Sequence, residues 1–180
     1  NKFARFYIFV IRGTPMMVQS LIFYYAIFNL FKRTGMSVTE INRVWSLFIS
    51  GLVTVSLNST AYLAEVLRGG ILAVDAGQME AARSLGMTHW QAMRRVVFPQ
   101  AIKNSLPAIG NEFIINIKDS SVLCVLGVSD LMFMTRSVAG IYYKGTECYL
   151  IAATVYLFLT YLSSLLLKAI TGRMTAPANT

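Results

Sequence analysis

Apolar positions along this chain fall into four long runs, with a polar island of about twenty-five residues between the second run and the third. A helix that crosses the hydrocarbon core of a bilayer, about 30 Å thick, needs about 20 mostly apolar residues at 1.5 Å each. Uncharged stretches of that length separate Arg12 from Lys32, Arg43 from Glu65 and Glu147 from Lys168. Pro15, near the start of the first, suits an opening helical turn, where a missing N–H costs little. The remaining run, roughly Lys103 to Leu126, contains Glu112, Asn116, Lys118 and Asp119. Such groups are costly in hydrocarbon and are expected to face a protein interior or a water-filled cavity. The pattern predicts an all-α protein, a polytopic transmembrane helical bundle with at least four spans.

The island reads as two short helices. Asp75 with Gln78 and Thr88 with Gln91 each place an N-cap acceptor three residues before a glutamine that reaches back. Gly86, between them, supplies the positive φ that closes the first helix, so the chain is expected to bend at Gly86 and Met87. Trp90, Met93 and Val97 share i, i+3, i+7 spacing, with His89, Gln91, Arg94 and Arg95 elsewhere on the helix. Periodicity alone leaves two readings open: a helix lying on the membrane surface, or a docking element for something in the water.

Composition agrees with lipid as the solvent. Of 180 residues, 56% are hydrophobic and 13% charged, against about 25% charged in soluble domains; the mean hydropathy is +0.57. The net charge of +8 is scattered around apolar spans, which argues for topology signals and lipid headgroup contact and against nucleic acid. Ten basic residues gather on one side of the predicted spans (Lys2, Arg5, Arg12, Arg68, Arg83, Arg94, Arg95, Lys103, Lys168, Arg173) and six on the other (Lys32, Arg33, Arg43, Lys118, Arg136, Lys144). The positive-inside rule then places the island and both ends of the chain in the cytoplasm. Cys124 and Cys148 stand apart from each other and from any histidine, so neither a metal nor a redox site is expected. The opening residues lack an initiator Met and a signal-peptide pattern, from which a preceding segment with an additional span is expected.

Glu80, Ala81 and Ala82, then Gly86, then Val96, Val97, Phe98 and Pro99 resemble the EAA loop of bacterial ABC importer permeases, with Val96 and Phe98 replacing the usual Ile and Leu of its ending. Residues 11–19 (IRGTPMMVQ), 61–71 (AYLAEVLRGGI) and 117–123 (IKDSSVL) are similar to permeases of polar amino acid uptake systems, of the histidine, glutamine and glutamate type. The resemblance covers nearly the whole chain. It implies one permease domain over residues 1–180, like those of type I ABC importers, lacking its first N-terminal span, with residues 75–99 as the cytoplasmic coupling loop. It further implies that Glu80, Ala81, Ala82, Arg83, Gly86, Trp90 and Arg94 contact a cytoplasmic ATPase. The implied partners are an ATPase dimer that binds ATP and Mg, a second permease subunit (identical or homologous) and an extracytoplasmic amino-acid-binding protein. No cofactor is implied in this chain, and the location is the bacterial cytoplasmic (inner) membrane.

The family places the transported amino acid in a cavity near the bilayer middle, and the polar residues of the spans suggest where. A zwitterion needs an anion for its ammonium and donors for its carboxylate, which Lys118, Asp119, Ser120 and Ser121 supply together. Glu147 is a further candidate for the ammonium. Asn58, with Asn111, Glu112 and Asn116, either lines the path or serves interhelical hydrogen bonds. Glu65 and Arg68, at i, i+3, read as a helix-end ion pair. Catalytic machinery is not in evidence: Gly140 to Thr146 lacks the Lys-Ser/Thr that a phosphate loop needs after its second glycine. A rival reading is a secondary transporter or channel with a proton relay through Glu112, Asp119 and Glu147.

The orientation is testable with impermeant thiol reagents on a background in which both native cysteines are serine. Thr88→Cys is expected to react only from the cytoplasmic face and Thr39→Cys only from the opposite face. The reverse pattern would invert the topology.

Overall fold

The computed structural model describes residues 2–175, all of whose regular elements are helical: α1 (Lys2–Gly13), α2 (Met16–Arg33), α3 (Val38–Val44), α4 (Leu47–Leu72), α5 (Ala76–Ser84), α6 (His89–Ala92), a π-turn (Met93–Val97), α7 (Phe98–Asp119), a 3₁₀ segment (Ser120–Val125), α8 (Leu131–Tyr142) and α9 (Gly145–Thr175). The Arg173 side chain, counted above as cytoplasmic, lies outside the described residues, as do the extreme ends of the chain. Two units are distinguishable, one comprising Asn1–Ala61 and Ile115–Thr160, the other Tyr62–Ile114 and Tyr161–Thr180.

In the first unit, the apolar run after Arg12 is not one straight helix. It joins α1, and the two helices are bent by 111° at Thr14 and Pro15. Pro15 sits just ahead of α2 as its N-cap, with φ −64° and ψ 136°, rather than inside the first turn. Proline lacks an N–H and drives the residue before it toward extended backbone, so neither residue continues α1. The exposed ends are closed by the buried Gln19, whose Nε2 lies 2.7 Å from the Ile11 carbonyl, 2.9 Å from that of Thr14 and 2.7 Å from Thr14 Oγ1. Asn58 Nδ2 in turn donates to Gln19 Oε1 at 3.2 Å, and the Tyr7 hydroxyl donates to the Leu57 carbonyl at 2.6 Å, fastening α4 to the bend.

The buried face of α4 carries Ser50, Thr54, Asn58 and Ala61 at near-i+4 spacing. Small residues let membrane helices approach closely. A Cβ on Gly51 would sit 2.9 Å from Leu123 Cδ1, which is how near the 3₁₀ segment comes. Ahead of α4, the Ser37–Glu40 capping box opens α3 and sets Ile41 and Trp45 into the interior.

The second unit packs the end of α4 on the start of α7. A Cβ on Gly70 would collide with Ser105 Oγ and the Ala101 carbonyl, so glycine is required there. Gly110 is likewise covered by the Leu167 side chain of α9. Glu65 and Arg68 form the expected ion pair at 2.6 Å.

Length and apolarity select α4 and α9 as membrane-crossing helices, and a third span if α1 and α2 count as one. This is fewer than the four apolar runs suggest. Although α7 is long enough, Lys103, Glu112, Lys118 and Asp119 lie within it. By contrast, α9 is apolar on all sides and leaves most of its surface outside the packed interior, as a lipid-facing helix does.

Gln19→Leu is expected to cost about 1–3 kcal/mol, the penalty for leaving buried partners unmade, read as a lower unfolding midpoint of the detergent-solubilised protein. Gln19→Leu with Asn58→Leu should cost less than the sum of the single changes, since both act on one network. Strict additivity would show that the two amides are not coupled.

Candidate functional site

The island forms a compact knob whose geometry is set mostly by its own sequence. Asp75 Oδ1 accepts from the Gly77 amide at 2.7 Å and opens α5. Gln78 does not reach back to complete a box; its Oε1 accepts instead from Gln100 Nε2 at 3.2 Å, tying α5 to the start of α7. At the far end the Leu85, Gly86 and Met87 amides return to the Ala81, Arg83 and Ala82 carbonyls, and Gly86 takes φ +82°. That positive φ is what the glycine signalled. Thr88 then opens α6 with a complete capping box: the Gln91 amide donates to Thr88 Oγ1 at 3.3 Å and Gln91 Oε1 accepts from the Thr88 amide at 2.9 Å.

The predicted stripe of Trp90, Met93 and Val97 does not form. The π-turn of Met93–Val97 widens the helix by one residue, so Ala92 and Val97, five apart, share the buried face, while Trp90 is 70% exposed. The cause lies just downstream, where Pro99 can neither donate to an i−4 carbonyl nor tolerate one against its ring. Of the residues expected to contact an ATPase, Ala82 is buried; Glu80, Ala81, Arg83, Gly86, Trp90 and Arg94 are exposed. Trp90, Gln91, Arg94 and Arg95 enclose a surface hollow of about 370 Å³. The Glu80 carboxylate makes no hydrogen bond or ion pair among the described residues, so it does not cap its own helix. The buried Ala92 pivot and the Gln78–Gln100 link lack any local sequence signal and escaped the pattern.

The polar residues of the spans are placed differently. Lys118 and Asp119 close α7, both exposed, and no ion pair joins them among the described residues. Ser120 Oγ donates to the Ile117 carbonyl at 3.1 Å, and Ser121 is half-buried. Glu147 is exposed in the first turn of α9. Asn58 is turned onto Gln19, and Asn116 Nδ2 donates to Ser59 Oγ at 2.9 Å, so both amides serve helix packing. Asp130 joins these residues: its Oδ1 caps α8 by accepting from the Phe133 amide at 2.7 Å, while Oδ2 is buried with no hydrogen-bond partner among the described residues. Only the Asp-x-x-Phe spacing ahead of an apolar helix pointed to that cap. Among the described residues no group of three or more His, Cys, Asp or Glu side chains is placed to hold a metal.

Residues 1–176 match the family described as binding-protein-dependent transport system inner membrane component. The glutamine transport system permease protein GlnP of Escherichia coli K12 is 34% identical over 97% of this chain and 75% of its own length. The probable amino-acid permease protein YxeN of Bacillus subtilis 168 is 37% identical over the whole chain and 77% of its own. A solved structure described as an amino acid ABC transporter with histidines is 46% identical, with a TM-score of 0.79 over 93% of this chain and 73% of that one. With the knob and the helical membrane fold already in place, these likenesses identify the chain as a member of the binding-protein-dependent inner membrane component family, a permease subunit of an ABC importer and not itself an enzyme.

Proposed function

We propose that the chain forms part of the path of a polar amino acid across the bacterial inner membrane and that the α5–α6 knob receives the force of ATP hydrolysis from a cytoplasmic ATPase dimer. The observation that carries this reading is the knob itself: two capped helices joined at a left-handed glycine, with Trp90, Gln91, Arg94 and Arg95 around an open hollow. Short helices locked by caps move as a body, whereas a floppy loop absorbs a push. An exposed tryptophan beside two arginines is the chemistry of an interface anchor, since Trp and Arg lead among residues that dominate binding energy. ATP and Mg would belong to the ATPase. A second permease subunit, identical or homologous, and an extracytoplasmic binding protein complete the assembly. The names of the relatives, glutamine and amino-acid permeases among them, support an amino acid as the cargo.

Along the path, Lys118, Asp119, Ser120, Ser121 and Glu147 are proposed as groups that meet the substrate. The exposure of Lys118 and Asp119, with no ion pair to either among the described residues, supports this, because both are open to an outside partner. Uptake by proteoliposomes with and without the ATPase tests the reading as a whole; uptake that needs no ATPase would favour the proton-relay alternative.

Two substitutions probe the parts. Gly86→Val forces a β-branched residue into positive φ, at a cost of roughly 1–2 kcal/mol. It is expected to uncouple ATP hydrolysis from uptake while the protein still inserts, and Gly86→Asn, which tolerates that backbone, should largely preserve coupling. Normal transport by Gly86→Val would remove the knob from the mechanism. Asp119→Asn keeps shape and loses charge, so if Asp119 meets an ammonium the half-saturating substrate concentration should rise roughly ten- to a hundredfold. An assembled Asp119→Asn transporter with unchanged concentration dependence would exclude that role.

A further inference from the structure

Arg136 is the one cation of α8, a helix otherwise built of apolar and small residues. Its Nη1 donates to Cys124 Sγ at 3.7 Å, and a thiol is a weak acceptor. No carboxylate pairs with it among the described residues; Asp130, the nearest acid in sequence, commits Oδ1 to capping the same helix. Arg136 is exposed, and its guanidinium carries five donors and stays charged, so most of its hydrogen-bonding capacity is open to an anion from outside the chain.

Such an anion has room. Arg136, Cys124, Phe133 and Ser137 line an open surface hollow of about 390 Å³ beside the turn at Gly127. The turn adds no donors, because the Leu126 and Val128 amides bond the Leu123 carbonyl and the Gly127 amide bonds that of Cys124. Ser137 Oγ spends its hydrogen on the Phe133 carbonyl at 3.0 Å, leaving its lone pairs to accept. The hollow therefore offers one cation, one hydroxyl acceptor and the apolar side chains of Leu126 and Phe133.

We propose that this hollow binds the α-carboxylate of a free amino acid, with the Arg136 guanidinium as its anchor and Ser137 Oγ as an acceptor for the ammonium. The inference rests on the amino-acid importer reading and assigns that substrate a second site, made of residues other than Lys118, Asp119 and Glu147. A carboxylate matches the planar fork of arginine with two parallel hydrogen bonds, which a hydrocarbon tail cannot do.

The test is a thermal-shift titration of the purified permease–ATPase complex, without binding protein, using L-glutamine, L-glutamate, L-histidine and L-arginine and the α-methyl ester of each. Wild type is expected to bind at least one free acid roughly ten- to a hundredfold more tightly than its ester. Arg136→Gln should weaken the free acid by a similar factor and leave the ester unchanged. Arg136→Lys, which keeps charge but loses the fork, should show a smaller loss confined to the acid, and it carries the test if Arg136→Gln fails to assemble. Acid binding undiminished in Arg136→Gln, or equal losses of acid and ester, would overturn the inference. In nanodiscs with and without phosphatidylglycerol, a variant that differs from wild type only in its response to that lipid would assign Arg136 to a headgroup phosphate instead, also overturning it. If no amino acid is bound by wild type or taken up by the complete transporter, the importer reading for amino acids fails as well; uptake by Arg136→Gln equal to wild type sinks only the present inference.

Discussion

Hydrocarbon offers no hydrogen bonds, so every interruption of a membrane helix leaves backbone groups that the protein itself must satisfy. The first unit is arranged around one such interruption. A 111° turn at Thr14 and Pro15 frees carbonyls at the end of α1, and a single side chain, Gln19, reaches back to close them. Its remaining oxygen is held by Asn58, so the same amide that closes the bend also fixes where α4 lies against it. The small residues along α4 follow from that placement, because a helix held so close has room for Ser50, Thr54 and Gly51 and little more.

The knob works by different physics. Its stability is local, made of caps and one left-handed glycine, and it owes little to burial: Ala82, Ala92 and Val97 are its inward anchors, while most of its side chains face out. An element that folds on its own hydrogen bonds can present a large exposed surface without losing its shape. That separation of scaffold from surface suits the docking role proposed for its outer face.

Legibility in the sequence followed the range of the interaction. Gly86, the Thr88–Gln91 box and the Glu65–Arg68 pair all act across three or four residues, and each is legible in the sequence alone. The 111° bend was missed because an uncharged run looks the same whether straight or broken, and Pro15 gave only the start of α2. The π-turn escaped because a 3.6-residue period was assumed through a stretch that has an extra residue. Lys118 and Asp119 are neighbours in the chain, yet adjacent residues on a helix point about 100° apart. Arg136 beside Cys124 and Gln78 beside Gln100 depend on tertiary packing, which no local pattern encodes.

The extra residue in the π-turn has a geometric meaning beyond its fit to Pro99. On a helix, direction is a matter of counting: each residue advances the azimuth by about 100°. The heading of Trp90 around the axis of α7 is therefore fixed by how many residues stand between them, and the π-turn changes that count by one. Homologous loops that shed or gain one residue here would aim the same knob at a different point of the compass. Length at this joint is thus a form of addressing, independent of the residues that make the contact.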